Sequence, residues 1–209
     1  MSNTKTIKVW DIAVRVFHWS LVTFFIISYL TGDELETIHA WSGYVVTALI
    51  LFRIVWGFIG TKYARFSNFI YSPAEVKAYL KSLLSKSPKH YLGHNPAGGI
   101  MVLILLVSLS FTVFSGLKAY AVEGHGPLAS VDVSLLSAAY ADEDKHDGDK
   151  KHEEEEDEFW KEIHEFFSNF TLFMVLIHIA GVVVSSMLHG ENLARAMVTG
   201  YKEENKKQA

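Results

Sequence analysis

Read only for apolar and polar positions, the chain alternates long apolar runs with shorter polar connections. Four runs approach the roughly 20 residues that a helix needs to cross about 30 Å of hydrocarbon: Val14–Leu30, Ile38–Ile59, Ala97–Leu117 and Phe166–Leu188. The third and fourth contain no Asp, Glu, Lys or Arg, so hydropathy alone marks them as spans. The first includes Arg15 and His18 and the second includes Arg53; polar groups within a span are expected to face protein rather than lipid. The first run is expected to be retained, because Tyr29-Leu30-Thr31-Gly32-Asp33-Glu34 offers no small-x-small cleavage site for a signal peptidase. The pattern predicts an all-α integral membrane four-helix bundle, a single domain over residues 1–209.

Two connections have a character of their own. Ser72-Pro73-Ala74-Glu75 reads as an N-cap, a first-turn proline and a capping-box acid, followed by Val76, Tyr79, Leu80, Leu83 and Leu84 at helical spacing. This predicts a short helix on the inner membrane surface. Within the outer connection at about 123–158, Asp142–Glu158 is a low-complexity run of Asp, Glu, Lys, Gly and His, expected to be disordered for want of apolar surface.

Charge orients the spans. Lys5, Lys8 and Arg15, the six lysines and arginines between spans two and three, and Arg195, Lys202, Lys206 and Lys207 belong to the cytoplasmic side. The other two connections are acidic and belong outside. Both termini are then cytoplasmic. Half of the residues are apolar, and the formal net charge is −4. The absence of cysteine excludes disulfides, iron–sulfur ligation and a thioether-linked c-type haem. Any redox centre rests on histidine or methionine.

Four of the ten histidines stand at informative depths. Taken singly, each reads as an interfacial or hydrogen-bonded core residue; their joint arrangement says more. His164 and His178 are fourteen residues apart, which puts them on nearly one helix face about 21 Å apart along the axis. Span four runs from outside to inside, so His164 is outer and His178 inner. His39 opens span two at the outer end, and His18 lies toward the inner end of span one. Depth therefore pairs His39 with His164 and His18 with His178. Two imidazole pairs suit two bis-histidine haems. Helix tilt absorbs the excess depth of His178 over His18. Gly43, Ser168 and Gly181 put small side chains near the proposed ligands, as ordinary helix packing also does. Arg53, fourteen residues after His39, is level with the inner haem and answers either a propionate or, by snorkelling, the headgroups. Arg15, one turn before His18, is a second candidate for the same haem or for the headgroups.

Trp10-Asp11, Arg15, His18-Trp19, His39 with Gly43-Tyr44, the run Phe52–Gly60, Ala64-Arg65-Phe66, Asn95-Pro96-Ala97-Gly98 and His189-Gly190-Glu191-Asn192-Leu193 through Met197-Val198-Thr199-Gly200 together resemble the bacterial cytochrome b561 family. That family includes the b-type cytochrome subunits of nickel–iron hydrogenases. The resemblance covers nearly the whole chain except 123–158. It implies two haem b groups ligated from spans one, two and four, matching His18, His39, His164 and His178. It further implies the bacterial inner membrane, exchange with quinone or quinol, and an outer partner such as a periplasmic c-type cytochrome or oxidoreductase. The acidic insertion lies outside the recognised pattern. Lipid is an expected partner, and nucleic acid is not.

The expected function is that of an electron-transfer protein or subunit, a di-haem cytochrome between the quinone pool and the outer partner. His90, His94 and Asn95 are candidates near the inner surface to bind quinone or to protonate with it, against a reading as solvated loop residues. The competing class is a metal-ion transporter, motivated by His125, His146 and His152 with His39 and His178. Transporters place carboxylates or other ion ligands near the midplane, however, and spans three and four have no acid. A structural anchor without cofactor leaves the paired histidines unexplained.

Overall fold

The computed structural model of the chain describes residues 6–32, 34–83, 89–129 and 148–203, apart from the side chains of 148–154 and 203. Strand β1 (Thr6–Lys8) leads into α1 (Ile12–Thr31). Asp11 caps α1 by accepting from the Val14 backbone N–H at 2.8 Å. Helix α2 (Glu36–Ile59) follows, then a 3₁₀ turn at Phe66–Asn68 and helix α3 (Pro73–Ser82). The expected capping box is formed: the Ser72 hydroxyl accepts from the Glu75 backbone, and the Glu75 carboxylate accepts from the Ser72 backbone. Helices α4 (Pro96–Val122), α5 (Gly148–His189) and α6 (Leu193–Thr199) precede strand β2 (Tyr201–Glu203). β2 pairs antiparallel with β1, Ile7 opposite Lys202.

Among the described residues the fold is all-α apart from this ribbon, and four helices are long and apolar enough to cross a membrane: α1, α2, α4 and, within α5, Glu155–His189. Leu30, Trp41, Phe58, Ile59 and Met187 are 68–77 % exposed, a display that would aggregate in water and that a bilayer covers.

The spans exceed the limits read from hydropathy. Helix α4 runs on past Leu117 to Val122, and α5 begins at Gly148, eighteen residues before Phe166. At about 1.5 Å per residue the 42 residues of α5 reach roughly 63 Å, twice the hydrocarbon thickness. Part of the acidic run expected to be a disordered loop is thus helix, from Gly148 through Glu158. Backbone hydrogen bonding continues where apolar side chains stop. One turn is further tied by Lys161 Nζ on Asp157 Oδ2 at 2.8 Å. Residues 142–147 lie outside the described residues. Neither α6 nor the ribbon was expected.

Two compact units divide the chain, Met1–Leu106 with Leu172–Ala209 and Val107–Thr171. In the first, α1 packs along α2, and the short connection between them makes the pair antiparallel. Asp11 Oδ2 accepts from Trp56 Nε1 at 3.2 Å and from Thr61 Oγ1 at 2.5 Å. Val9, Trp10, Val14, Ala64 and Ala196 form the buried cluster beside it. In the second unit, Phe111 stacks on Phe167 at 4.8 Å, Thr112 and Thr171 share a hydroxyl hydrogen bond at 3.3 Å, and Lys161 meets Glu123 at 2.7 Å.

Candidate functional site

His39 sits in the first turn of α2, its Nδ1 2.9 Å from the Ser28 carbonyl of α1. A carbonyl only accepts, so Nδ1 carries the proton and Nε2 keeps the lone pair. His164, in the second unit, repeats the device with its Nδ1 2.8 Å from the Thr112 carbonyl of α4. This arrangement, a backbone acceptor fixing ring and tautomer so that Nε2 carries the lone pair, is common among metal-bound histidines. Gly116 makes room for it. A Cβ there would fall 2.8 Å from His164 Cε1 and 2.9 Å from Nδ1. Ser168, expected to flank the ligand as a small residue, donates to the His164 carbonyl at 2.7 Å along its own helix.

His18 and His178 lie in the first unit within electrostatic reach of each other. His18 Nδ1 is buried without a partner, and its ring meets Trp19 edge-on at 5.1 Å. A Cβ added at Gly43 or Gly181 would meet nothing within 4 Å. Gly43 is one turn from His39 and Gly181 three residues from His178, so each leaves open surface beside a proposed ligand. The donor set therefore fits haem: four imidazoles, two with Nδ1 held on a backbone carbonyl, and glycines that leave space for a flat macrocycle.

The two arginines differ. Arg53 is only 4 % exposed and does not reach outward to solvent. Its guanidinium lies 5.1 Å from the Phe66 ring centroid and 5.8 Å from that of Phe69, and its Nη1 is buried without a partner. Asp11 is the acid within electrostatic range, but both of its oxygens serve Val14, Trp56 and Thr61. Arg15 instead donates through Nη2 to the Val198 carbonyl, in the last turn of α6, where a cation complements the helix dipole. Its Nε is buried without a partner.

The inner-surface candidates separate as well. His90 Nε2 is 2.5 Å from Glu191 Oε1, whose other oxygen is 3.5 Å from Lys202 Nζ. Asn95 Oδ1 caps α4 by accepting from Gly98 N–H at 2.7 Å. His94 is enclosed between Trp10 and Phe69, at centroid distances of 4.7 and 4.6 Å. A cavity of about 400 Å³ is lined by Tyr63, Phe69, Tyr71, His90, Tyr91 and His94 among others. Of the histidines behind the transporter reading, His125 is exposed beside Tyr120 at 5.2 Å; His146 and the side chain of His152 lie outside the description.

Sequence reasoning missed Ser28, Thr112 and Gly116, because a carbonyl acceptor carries no side-chain signature and a seat on a neighbouring helix has no period. The adjacent small residues Ser115 and Gly116 in a span otherwise rich in Leu, Val and Phe were the one available signal.

A family model described as prokaryotic cytochrome b561 matches residues 9–200. A protein of Azotobacter vinelandii named as a probable Ni/Fe-hydrogenase B-type cytochrome subunit is 30% identical over 150 residues, covering 57% of this chain and 61% of its own. A Bradyrhizobium diazoefficiens protein of the same name is 28% identical over 151 residues, 58% of this chain and 60% of its own. The corresponding Ni/Fe-hydrogenase 1 subunit of Escherichia coli K12 is 25% identical over 155 residues, 57% of this chain and 65% of its own. The chain thus spans about three fifths of the length of the curated relatives it matches. No solved structure matches it.

Proposed function

The chain belongs to the prokaryotic cytochrome b561 family, and on that premise we propose that it is a di-haem electron conduit between the quinone pool and an outer oxidoreductase. Membership makes it a multi-pass membrane b-type cytochrome, a carrier of haem b. The finer assignment is ours: His18 with His178 for an inner haem, and His39 with His164 for an outer one. The outer pairing rests on the register of the sequence. When bound, haem supplies a one-electron ferric/ferrous couple. The chain supplies axial nitrogens, their orientation and a low-dielectric surround. The observation that carries the reading is the common posture of His39 and His164, each with Nδ1 on a backbone carbonyl, the tautomer that puts the lone pair on Nε2.

Arg53 is the proposed propionate partner of the inner haem, supported by its burial and its unpartnered nitrogen. Arg15, its Nη2 already committed to the Val198 carbonyl, serves α6. The lysine and arginine distribution supports both termini at the cytoplasmic face of a bacterial inner membrane. Quinone then reacts near the inner haem, beside the cavity lined by His90 and Tyr71. The outer partner is an oxidoreductase of the kind named in its relatives, a Ni/Fe-hydrogenase, or a periplasmic c-type cytochrome.

The test is haem stoichiometry and reduced-minus-oxidised spectra of purified protein and four single variants. Wild type is expected to hold two haems per chain. His18→Ala and His178→Ala should remove one spectral component, and His39→Ala and His164→Ala the other. One haem per wild-type chain, or grouping of His18 with His39, refutes the assignment.

A further inference from the structure

Buried polar atoms are almost always paired, so a cluster of unpaired buried donors marks the position of an absent acceptor. One such cluster lies at the inner end of the first unit. Arg53 Nη1 and His94 Nδ1 are both buried without a partner. Their side chains flank the same aromatic ring, with the Arg53 guanidinium 5.8 Å and the His94 imidazole 4.6 Å from the Phe69 centroid. Lys202, 7 % exposed, lies within electrostatic reach of His94. Of the nearby acids, Glu191 is shared by His90 and Lys202, and Asp11 is taken by Thr61, Trp56 and Val14. Two cations and an imidazole donor therefore converge where both carboxylates are already occupied.

We propose that Arg53 and His94 form a two-armed clamp for one carboxylate, a propionate of the inner haem, with His94 giving it a hydrogen bond through Nδ1–H. This rests on the assignment of the inner haem to His18 and His178, and it takes His94 out of the set of quinone candidates. The chemistry of each arm differs. Burial, and after it the charges of Arg53 and Lys202, push the His94 imidazole down to about 3, so His94 offers a neutral donor and Arg53 the charge. Tyr71 holds the His94 backbone by donating to its carbonyl at 3.0 Å, while Trp10 and Phe69 fix the ring between them. A donor fixed this way loses little entropy when it meets its acceptor.

A redox titration of the purified, haem-loaded protein tests the clamp with three variants. The inner haem is the component that His18→Ala removes. His94→Phe keeps the aromatic packing and lacks the donor. It leaves the propionate more negative and is expected to raise the oxidised-to-reduced ratio of the inner haem about threefold to tenfold at fixed potential, a downward shift of about 30–60 mV at 59 mV per decade. His94→Asn, whose amide nitrogen sits near the Nδ1 position, should restore most of it. In an Arg53→Leu background, His94→Phe should add less than it does alone, because the two share one acceptor. Haem labelled with ¹³C at the propionates gives a second readout: its carboxylate band in redox-difference infrared spectra should move in His94→Phe and return in His94→Asn. Where His94→Phe does not assemble, His94→Gln, with its amide near the Nε2 position, takes its place with the same expectation. An inner haem with unchanged potential and unchanged labelled band overturns the clamp. A shift that appears only with phospholipid present, without movement of the labelled band, places a lipid phosphate there and overturns it equally. A wild-type protein without the inner haem overturns the assignment and the clamp together, which separates that failure from the others.

Discussion

Gly116→Ala pits two effects of opposite sign against each other. Alanine is about 0.8–1.0 kcal/mol better than glycine in a helix interior, so in a span with no special task the change stabilises the helix. Here the new methyl carbon would lie 2.8 Å from His164 Cε1 and 2.9 Å from Nδ1, whereas ordinary contact begins near 3.4 Å. The ring must retreat by about 0.6 Å, the difference between 3.4 and 2.8 Å. A retreat of that size threatens the 2.8 Å bond to the Thr112 carbonyl, because an N–H···O bond weakens beyond about 3.2 Å. Losing the orienting partner of a metal-bound histidine typically costs 10–100-fold in affinity, about 1.4–2.7 kcal/mol. The expected signature is therefore split: helix α4 unfolds no more readily, while the outer haem dissociates 10–100-fold more easily. Haemochrome stoichiometry after dilution into apo-myoglobin measures the second effect, and thermal unfolding in detergent the first. Full retention of the outer haem at unchanged midpoint potential would refute the ligand role of His164 and the seat provided by Gly116.

Arg53→Leu removes a buried positive charge and, with the inner haem placed as proposed, should lower that haem's midpoint potential, with Arg53→Lys intermediate because it keeps the charge but loses bidentate geometry; redox titration reads both. Replacing Glu155, Glu156 and Glu158 with Gln should leave the haem spectrum intact and slow reduction by a basic partner at low ionic strength only, as stopped-flow measurements across a salt series will show. The α3 cap should depend on pH. The Ser72 backbone N–H and hydroxyl hold the Glu75 carboxyl below its ordinary range, so the cap's contribution is complete above that range and disappears as pH falls through the lowered value, visible as faster amide exchange in the first turn of α3.

The spans were legible because lipid demands apolar helices of set length, whereas the proposed histidine quartet rests on helical period alone, fourteen residues making nearly four turns. The capping box of α3 was legible because its partners are three residues apart. Residues 148–158 were misread: composition reports how little apolar surface a segment can bury, yet a helix already secured in the membrane extends into water at low cost. The three-residue strands carry too little alternation to signal pairing, and Ile7 with Lys202 are separated by almost the whole sequence. The burial of Arg53 was not legible, because the rings of Phe66 and Phe69 that cover it come from beyond the end of α2, where no period reaches.

The small ribbon of β1 and β2 constrains the route of the chain and the timing of its closure. Residues 6–8 and 201–203 cannot exchange hydrogen bonds through a bilayer, so the number of crossings between them must be even, an independent parity check on the four spans. Synthesis runs from the N-terminus, so β1 waits for its partner until the whole of residues 9–200 has been made. Until then α1 is held by α2 without the latch in which the Gly200 carbonyl accepts from Val9 and Trp10 and the Val198 carbonyl from Arg15. A flat, rigid cofactor bound beside His18, as proposed, would have that interval in which to enter, before the ribbon forms.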